Sequence, residues 1–213
     1  MTRVLIADDH AIVRYGTNLL VKEVLPEGTI IQEAVNFEQM IQLLDAQPFD
    51  LLILDINIPG GNNLQMIDVI RLRQPAIKIL IFSGYDEQLF AIRYLQAGAN
   101  GYLMKHAPQS ELKAAVQTIL KNEIYASAEV KQHMLHSITE RKQQVQNPLL
   151  TLSDRELEVM QQLITGAPIA SIAKSLNLQI STVSTYKTRV FEKLQVTNVV
   201  ELVEKVRLYS NPG

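Results

Sequence analysis

A chain of 213 residues with 47% apolar and 20% charged side chains can form two small cores, and its balance excludes a disordered, collagen-like or polytopic membrane protein. It contains no cysteine, which removes disulfides, thiolate catalysis and cysteine-ligated metal centres, so any metal must sit on oxygen or imidazole. The net charge of −2 divides unevenly: residues 1–128 carry ten Lys and Arg against fourteen Asp and Glu, residues 129–148 three against two, and residues 149–213 seven against six.

The opening run reaches Asp8 and Asp9 after only four apolar residues, too short for a signal-peptide core, and no later run approaches a membrane span. A cytoplasmic protein with no membrane partner is expected. Five short apolar runs follow one another: Arg3 to Asp8, Thr29 to Val35, Asp50 to Asp55, Ile77 to Ser83 and Gly101 to Met104. Several are apolar on both faces, as strands of a buried parallel sheet must be. Between them, Ala11 to Leu25, Phe37 to Ala46, Leu64 to Arg73, Glu87 to Ala97 and Gln109 to Lys121 space apolar residues three and four apart, the pattern of amphipathic crossover helices. The expected fold is α/β: a doubly wound, five-stranded parallel sheet of order 2-1-3-4-5, binding its ligand at the carboxyl ends of the strands.

This first domain is placed at residues 1–122. Residues 123–148, rich in Gln and charge and closed by Asn147-Pro148, read as a linker that is partly helical. Residues 149–213 carry no strand signal and resolve into four helices. Ser153-Asp-Arg-Glu156 is a capping box, Gly166 ends the first helix, Ile169 to Leu176 is short, and Asn177 suits a left-handed exit. Ile180 to Leu194 then sets Ile180, Val183, Tyr186, Val190 and Leu194 on one side, and Val199 to Leu208 closes the bundle.

Chemistry concentrates at the predicted strand ends. Asp8 and Asp9 end the first strand, Asp55 the third and Ser83 the fourth, while Lys105 follows the fifth. The 2-1-3-4-5 order brings all five to one edge. Three crowded carboxylates raise one another's pKa unless a hard cation neutralises them, and Mg2+ suits an oxygen-only donor set. One carboxylate is then free to act as a nucleophile toward a phosphoryl group, with Lys105 and the Ser83 hydroxyl receiving its oxygens. Asp55 is the candidate, because its strand lies between the other two. Gly60-Gly61 lacks the downstream Lys-Ser/Thr of a phosphate loop and reads as a turn. His10, beside the acids, is a further candidate for contact with the metal, but is placed instead in the first turn of the following helix.

Residues 1 to about 122 resemble the receiver domain of bacterial two-component response regulators, through Asp8-Asp9, Asp55 with Pro59 four residues later, Ser83, and Gly98-Ala-Asn-Gly101-Tyr102 running into Lys105. The resemblance implies Asp55 as the phospho-acceptor of a sensor histidine kinase, Asp9 as a direct Mg2+ ligand, Asp8 acting largely through water, and the Asn57 backbone carbonyl completing the metal site. It further implies that Ser83 and Tyr102 form a switch, the hydroxyl moving to the phosphoryl group and the ring turning into the space it leaves. Asn57 and Tyr85 occupy positions that tune phosphoryl lifetime. Asn63 stands where the family usually has Gly, and asparagine tolerates positive φ.

In the C-terminal part, a short helix, a tight turn and a longer helix from Ile169 to Leu194 have helix-turn-helix proportions. The longer helix presents Ser181, Ser184, Thr185, Lys187, Thr188 and Arg189: short hydroxyls for base edges and cations for phosphates, with Lys174 on the preceding helix. Thr151 to Leu208 resembles the LuxR/NarL/FixJ-type DNA-binding domain through Leu152-Ser-Asp-Arg-Glu156-Leu-Glu-Val, Gly166, Ile169-Ala-Ser-Ile-Ala173, Thr182-Val183 and Lys193-Leu194-Gln-Val. That implies promoter DNA as partner, with Ser184, Thr185 and Thr188 toward the bases and Lys174, Lys187 and Arg189 toward phosphates. Few cations imply weak binding by a monomer, so an active homodimer on paired half-sites is expected. Two other readings fit parts of the sequence. A Mg2+-dependent phosphohydrolase could use the same acids, but needs a second carboxylate two residues after its nucleophile, where Asn57 stands. A protein-binding adaptor could use the helical domain without DNA. The receiver's only expected catalysis is of its own phosphorylation and dephosphorylation.

Overall fold

Val4, Leu5, Ile6 and Ala7 are all buried although their side chains alternate in direction, because β1 (Arg3–Ala7) lies inside a sheet covered on both faces. The remaining strands are β2 (Ile30–Ala34), β3 (Leu51–Leu54), β4 (Lys78–Ser83) and β5 (Gly101–Met104), all parallel, in the order β2-β1-β3-β4-β5. The crossovers are α1 (Ala11–Val24), α2 (Phe37–Ala46), α3 (Gln65–Arg73), α4 (Glu87–Gln96) and α5 (Gln109–Leu120). Elements and strand order match the sequence-based expectation. The computed structural model describes residues 1–139 and 148–210 and separates into two units, Met1–Gln132 and His133–Gly213.

On one face of the sheet Val4, Ile6, Leu51, Ile53, Leu80, Phe82 and Leu103 pack with Val21 of α1 and Leu112, Ala115, Val116 and Ile119 of α5. The alternate residues Leu52, Leu54, Ile79 and Ile81 face the other way, where Met40 and Leu44 of α2, Met66 and Ile70 of α3, and Phe90 and Tyr94 of α4 are buried.

Register sets the site. Ala7 pairs with Leu54, so Asp8 and Asp55 leave their strands side by side, and the Asp55 N–H donates to the Ala7 carbonyl at 2.8 Å. Leu54 pairs with Ile81 and Ser83 with Met104, so Ser83 and Lys105 emerge at the same edge. Gly60 and Gly61 lie in the turn after β3, as expected, and close by Asn63 adopts the left-handed φ of +42°. Its amide nitrogen and oxygen are both buried and meet no hydrogen-bond partner among the described residues.

The stretch assigned to the linker is anchored at its start. Tyr125 accepts from the Tyr102 N–H at 3.1 Å and donates to the Asn100 carbonyl at 3.0 Å, adding a one-residue bridge to the β5 edge. A helix, α6 (Ala128–Thr139), follows, and the Ser127 N–H donates to the Glu87 carboxylate. The rest of the predicted linker up to Gln146 and Asn147 lies outside the described residues.

The second unit opens with a 3-10 turn at Pro148–Thr151, then α7 (Asp154–Ile164), α8 (Ile169–Ser175), α9 (Ile180–Leu194) and α10 (Val199–Ser210). Both halves of the capping box form: the Ser153 side chain accepts from the Glu156 N–H, and Glu156 accepts from the Ser153 N–H at 2.7 Å. Gly166 and Asn177 take the left-handed exits expected of them. Ile172, Ala173, Leu176, Val183, Val190 and Leu194 are buried where α7, α8 and α9 meet. Ile180 differs from the expected apolar face, being 57% exposed. It is the first residue of α9, and helical side chains lean toward the N-terminus, so it projects past the helix start.

Candidate phosphoryl-accepting and DNA-facing sites

Asp8 and Asp55 side chains are each only 3% exposed, and the Lys105 ammonium lies between them, 2.7 Å from Asp8 Oδ2 and 2.8 Å from Asp55 Oδ2. Burial pushes the Asp55 carboxyl up, Lys105 opposes that, and neighbouring Asp8 adds to the rise. For Lys105 burial works against the charge, but the two carboxylates prevail and raise its pKa, so it stays a cation. Two buried acids facing a single ammonium leave the pocket short of positive charge. Asp9, 37% exposed, stands at its rim.

Asp8, Asp9, His10 and Asp55 each offer a ligand atom within 4.8 Å of the others'. The donor set is dominated by carboxylate oxygens in a pocket with net negative charge, which fits a hard divalent cation such as Mg2+. His10 is the N-cap residue of α1 rather than a first-turn residue, and its ring turns back to the acids, with Nδ1 at 2.7 Å from Asp9 Oδ1 and 3.2 Å from Asp8 Oδ1. Its place directly after two acids was the only sequence signal for this contact.

Asn57 donates its backbone N–H to Asp55 Oδ1 at 3.1 Å and its side-chain amide to the Tyr85 hydroxyl at 2.9 Å, joining the loops after β3 and β4. The Ser83 hydroxyl accepts from the Tyr85 N–H at 3.1 Å. Tyr102 is fully buried, its ring tilted against Tyr94, and its hydroxyl donates to the Tyr85 carbonyl at 3.0 Å. Burial raises its phenol pKa, so it remains a donor. The ring is thus held inside the receiver, with its hydroxyl on the loop that follows Ser83. Tyr85 itself stacks on Phe90 at 4.9 Å between centroids.

In the second unit, Ser181, Ser184, Thr185, Thr188 and Arg189 are exposed on α9 and Lys174 is exposed in the last turn of α8. Ser181, Thr182, Thr185, Tyr186 and Arg189 line a shallow surface hollow. Lys187 lies half-buried with its ammonium 5.3 Å from the centroid of the Phe191 ring. Lys193, in the last turn of α9, is held to the fold: it contacts Glu156 Oε2 at 2.6 Å and the Thr151 carbonyl at 3.2 Å. Sequence reasoning missed this tie because an exposed helical lysine shows no sign of its long-range partner.

Comparison with known proteins covers both units. Residues 4–117 match the family model of the response regulator receiver domain, and residues 150–206 match that of the bacterial regulatory proteins of the luxR family. The chain is 32% identical over 209 residues to the Fimbriae Z protein of Escherichia coli K12, covering 98% of this chain and 97% of that one. It is 32% identical over 204 residues to the response regulator GacA of Pseudomonas aeruginosa, covering 95% and 94%. Among solved structures, RcsB of Salmonella enterica serovar Typhimurium bound to promoter P1flhDC in the presence of the phosphomimetic BeF3− aligns with a TM-score of 0.63 at 25% identity, over 96% of this chain and 98% of that one. A structure of two RcsB dimers bound to two parallel DNAs aligns with a TM-score of 0.58 at 25% identity, over 97% and 98%.

Proposed function

Because the chain belongs to the response regulators that join a receiver to a LuxR-type DNA-binding domain, we propose that Asp55 accepts a phosphoryl group from a sensor histidine kinase and that this governs promoter binding through α9. The protein is a DNA-binding transcription regulator and not an enzyme acting on a separate substrate. The observation that carries the Asp55 assignment is its position beside Asp8, with the Lys105 ammonium contacting both carboxylates. In the transfer, an Asp55 carboxylate oxygen attacks phosphorus, the P–N bond to the kinase histidine breaks, and its electron pair stays on the imidazole. Lys105, on the Asp55 carboxylate beforehand, moves to a phosphoryl oxygen, and the Ser83 hydroxyl supplies a second contact.

Asp8, Asp9, Asp55 and the Asn57 carbonyl would hold Mg2+, which when bound offsets the charge of the acids and of the transferred group. Movement of Ser83 toward the phosphoryl group breaks its hydrogen bond from the Tyr85 N–H. Since Tyr102 holds the Tyr85 carbonyl, the same loop carries the signal from Ser83 to the face of α4, β5 and α5. We assign Lys174, Lys187 and Arg189 to phosphate contacts and Ser181, Ser184, Thr185 and Thr188 to base edges, on a homodimer bound to paired half-sites in the cytoplasm. RcsB dimers on DNA support that assembly by analogy.

Incubation with acetyl phosphate and Mg2+ should give an acid-labile phosphoryl adduct mapping to Asp55. The Asp55→Asn protein should give none. Persistent labelling of that variant, or labelling at another acid, overturns the site assignment.

A further inference from the structure

Ser181, Ser184, Thr185 and Thr188 lie three and four residues apart on α9 and are all exposed, so they form one stripe of hydroxyls along its first three turns. Three of the four have their hydroxyl hydrogen engaged within the helix. Ser184 Oγ donates to the Ile180 carbonyl at 3.0 Å, Thr185 Oγ1 to the Ser181 carbonyl at 3.0 Å, and Thr188 Oγ1 to the Ser184 carbonyl at 3.1 Å. A hydroxyl has one hydrogen, so what these side chains turn outward is lone pairs. The same bonds fix χ1 of both threonines, giving each methyl group one position.

A surface of acceptors and methyls is selective in the major groove. Acceptors need an amino group, supplied by adenine N6 or cytosine N4, and methyls are matched only by thymine C5-methyl. Guanine, with two acceptors on that edge, is met by Arg or Lys; neither is among the four hydroxyl residues, Lys187 lies over Phe191, and Arg189, which shares a surface hollow with Ser181 and Thr185, is assigned to phosphate. An A·T pair provides both an amino donor and a methyl. Resting on the reading that α9 enters the major groove, we propose that Thr185 and Thr188 make this helix a reader of A·T pairs, each hydroxyl accepting from adenine N6 and each methyl packing on thymine.

Selection of duplexes from random DNA by the full chain with Mg2+ and beryllofluoride supplies the test. The enriched half-sites should have A·T pairs at the positions whose preference changes in Thr185→Ser and Thr188→Ser. In that enriched duplex, replacing each such thymine by uracil should weaken wild-type binding about fourfold, the loss expected for one buried methyl. The same replacement should make no difference to the serine variant at its own position. Replacing the paired adenine by purine, which lacks the amino group, should weaken the wild type but not Thr185→Val. These changes are on exposed residues or on the DNA itself, so folding is not at stake. Enrichment of G·C at these positions, or equal binding of uracil and thymine duplexes, overturns the inference and leaves DNA binding by α9 standing. Failure to enrich any sequence overturns that reading and this inference with it.

Discussion

Lys105 holds its ammonium between two carboxylates from different strands, 2.7 Å from Asp8 and 2.8 Å from Asp55, in a pocket where both acids are buried. One cation there serves two anions, so the pocket is short of positive charge. Lys105→Met should leave two uncompensated buried charges and destabilise the receiver by about 3–5 kcal/mol at pH 7. Burial and Asp8 already raise the Asp55 pKa, and removing Lys105 takes away what opposed that rise, so the destabilising effect of the Asp55 charge grows as pH rises and shrinks as it falls. Urea denaturation of both proteins at pH 7 and pH 5 should show the gap narrowing at the lower pH; a constant gap contradicts the charge explanation.

Asp55 itself is held against stability. Burial raises its pKa above the ordinary 3.8, with Lys105 opposing, so its stabilising contribution is present below that ordinary value and is lost as pH rises through the raised one. Charged Asp55 is therefore a cost at pH 7, and Asp55→Asn should stabilise the receiver by about 1 kcal/mol. The gain should shrink toward pH 4 in thermal denaturation. A variant less stable than wild type at pH 7 contradicts this account.

Asn63 combines a left-handed backbone with an amide that finds no partner among the described residues. Asn63→Gly removes the buried amide and suits the φ of +42°, against the larger chain entropy of glycine when unfolded. A net gain of about 1 kcal/mol is expected, read as a higher midpoint in urea. A loss of stability would show that the amide has a partner.

Glu156 links the start of α7 to the last turn of α9 through Ser153 and Lys193. Burial works to raise its pKa, but the hydrogen bonds from Lys193 and Ser153 prevail and lower it below 4.5. Its contribution is thus present above that ordinary value and lost as pH falls through the lowered one. Glu156→Gln should speed hydrogen exchange in α7 by roughly tenfold or more at pH 7, as expected for a charge-assisted bond of about 1.5–3 kcal/mol. Unchanged exchange contradicts the role given to this tie.

The receiver was legible in sequence because its signals are local and coincide: each strand is a short apolar run, each helix an amphipathic stretch, and the acids, Ser83 and Lys105 sit where runs end. Strand order then placed them together. What sequence did not show depends on distant partners. Lys193 looks like any solvated lysine until Glu156 is brought to it, and Tyr102 has no readable orientation until the Tyr85 carbonyl is in place. Tyr125 sits in a polar stretch, and only the exposed β5 edge makes it a sheet residue. The hydroxyl bonds on α9 are the reverse case: each joins residues four apart and could have been drawn from the helix assignment alone.

Charge added at Asp55 should change DNA affinity at α9. This is tested most directly by fluorescence anisotropy of an enriched duplex, titrated with full-length protein in Mg2+ with and without beryllofluoride, for wild type and Asp55→Asn. Beryllofluoride should tighten binding by the wild type about tenfold, a coupling of about 1.4 kcal/mol, and leave Asp55→Asn unchanged. Equal affinities for the wild type with and without beryllofluoride, or the same tightening in Asp55→Asn, would contradict it.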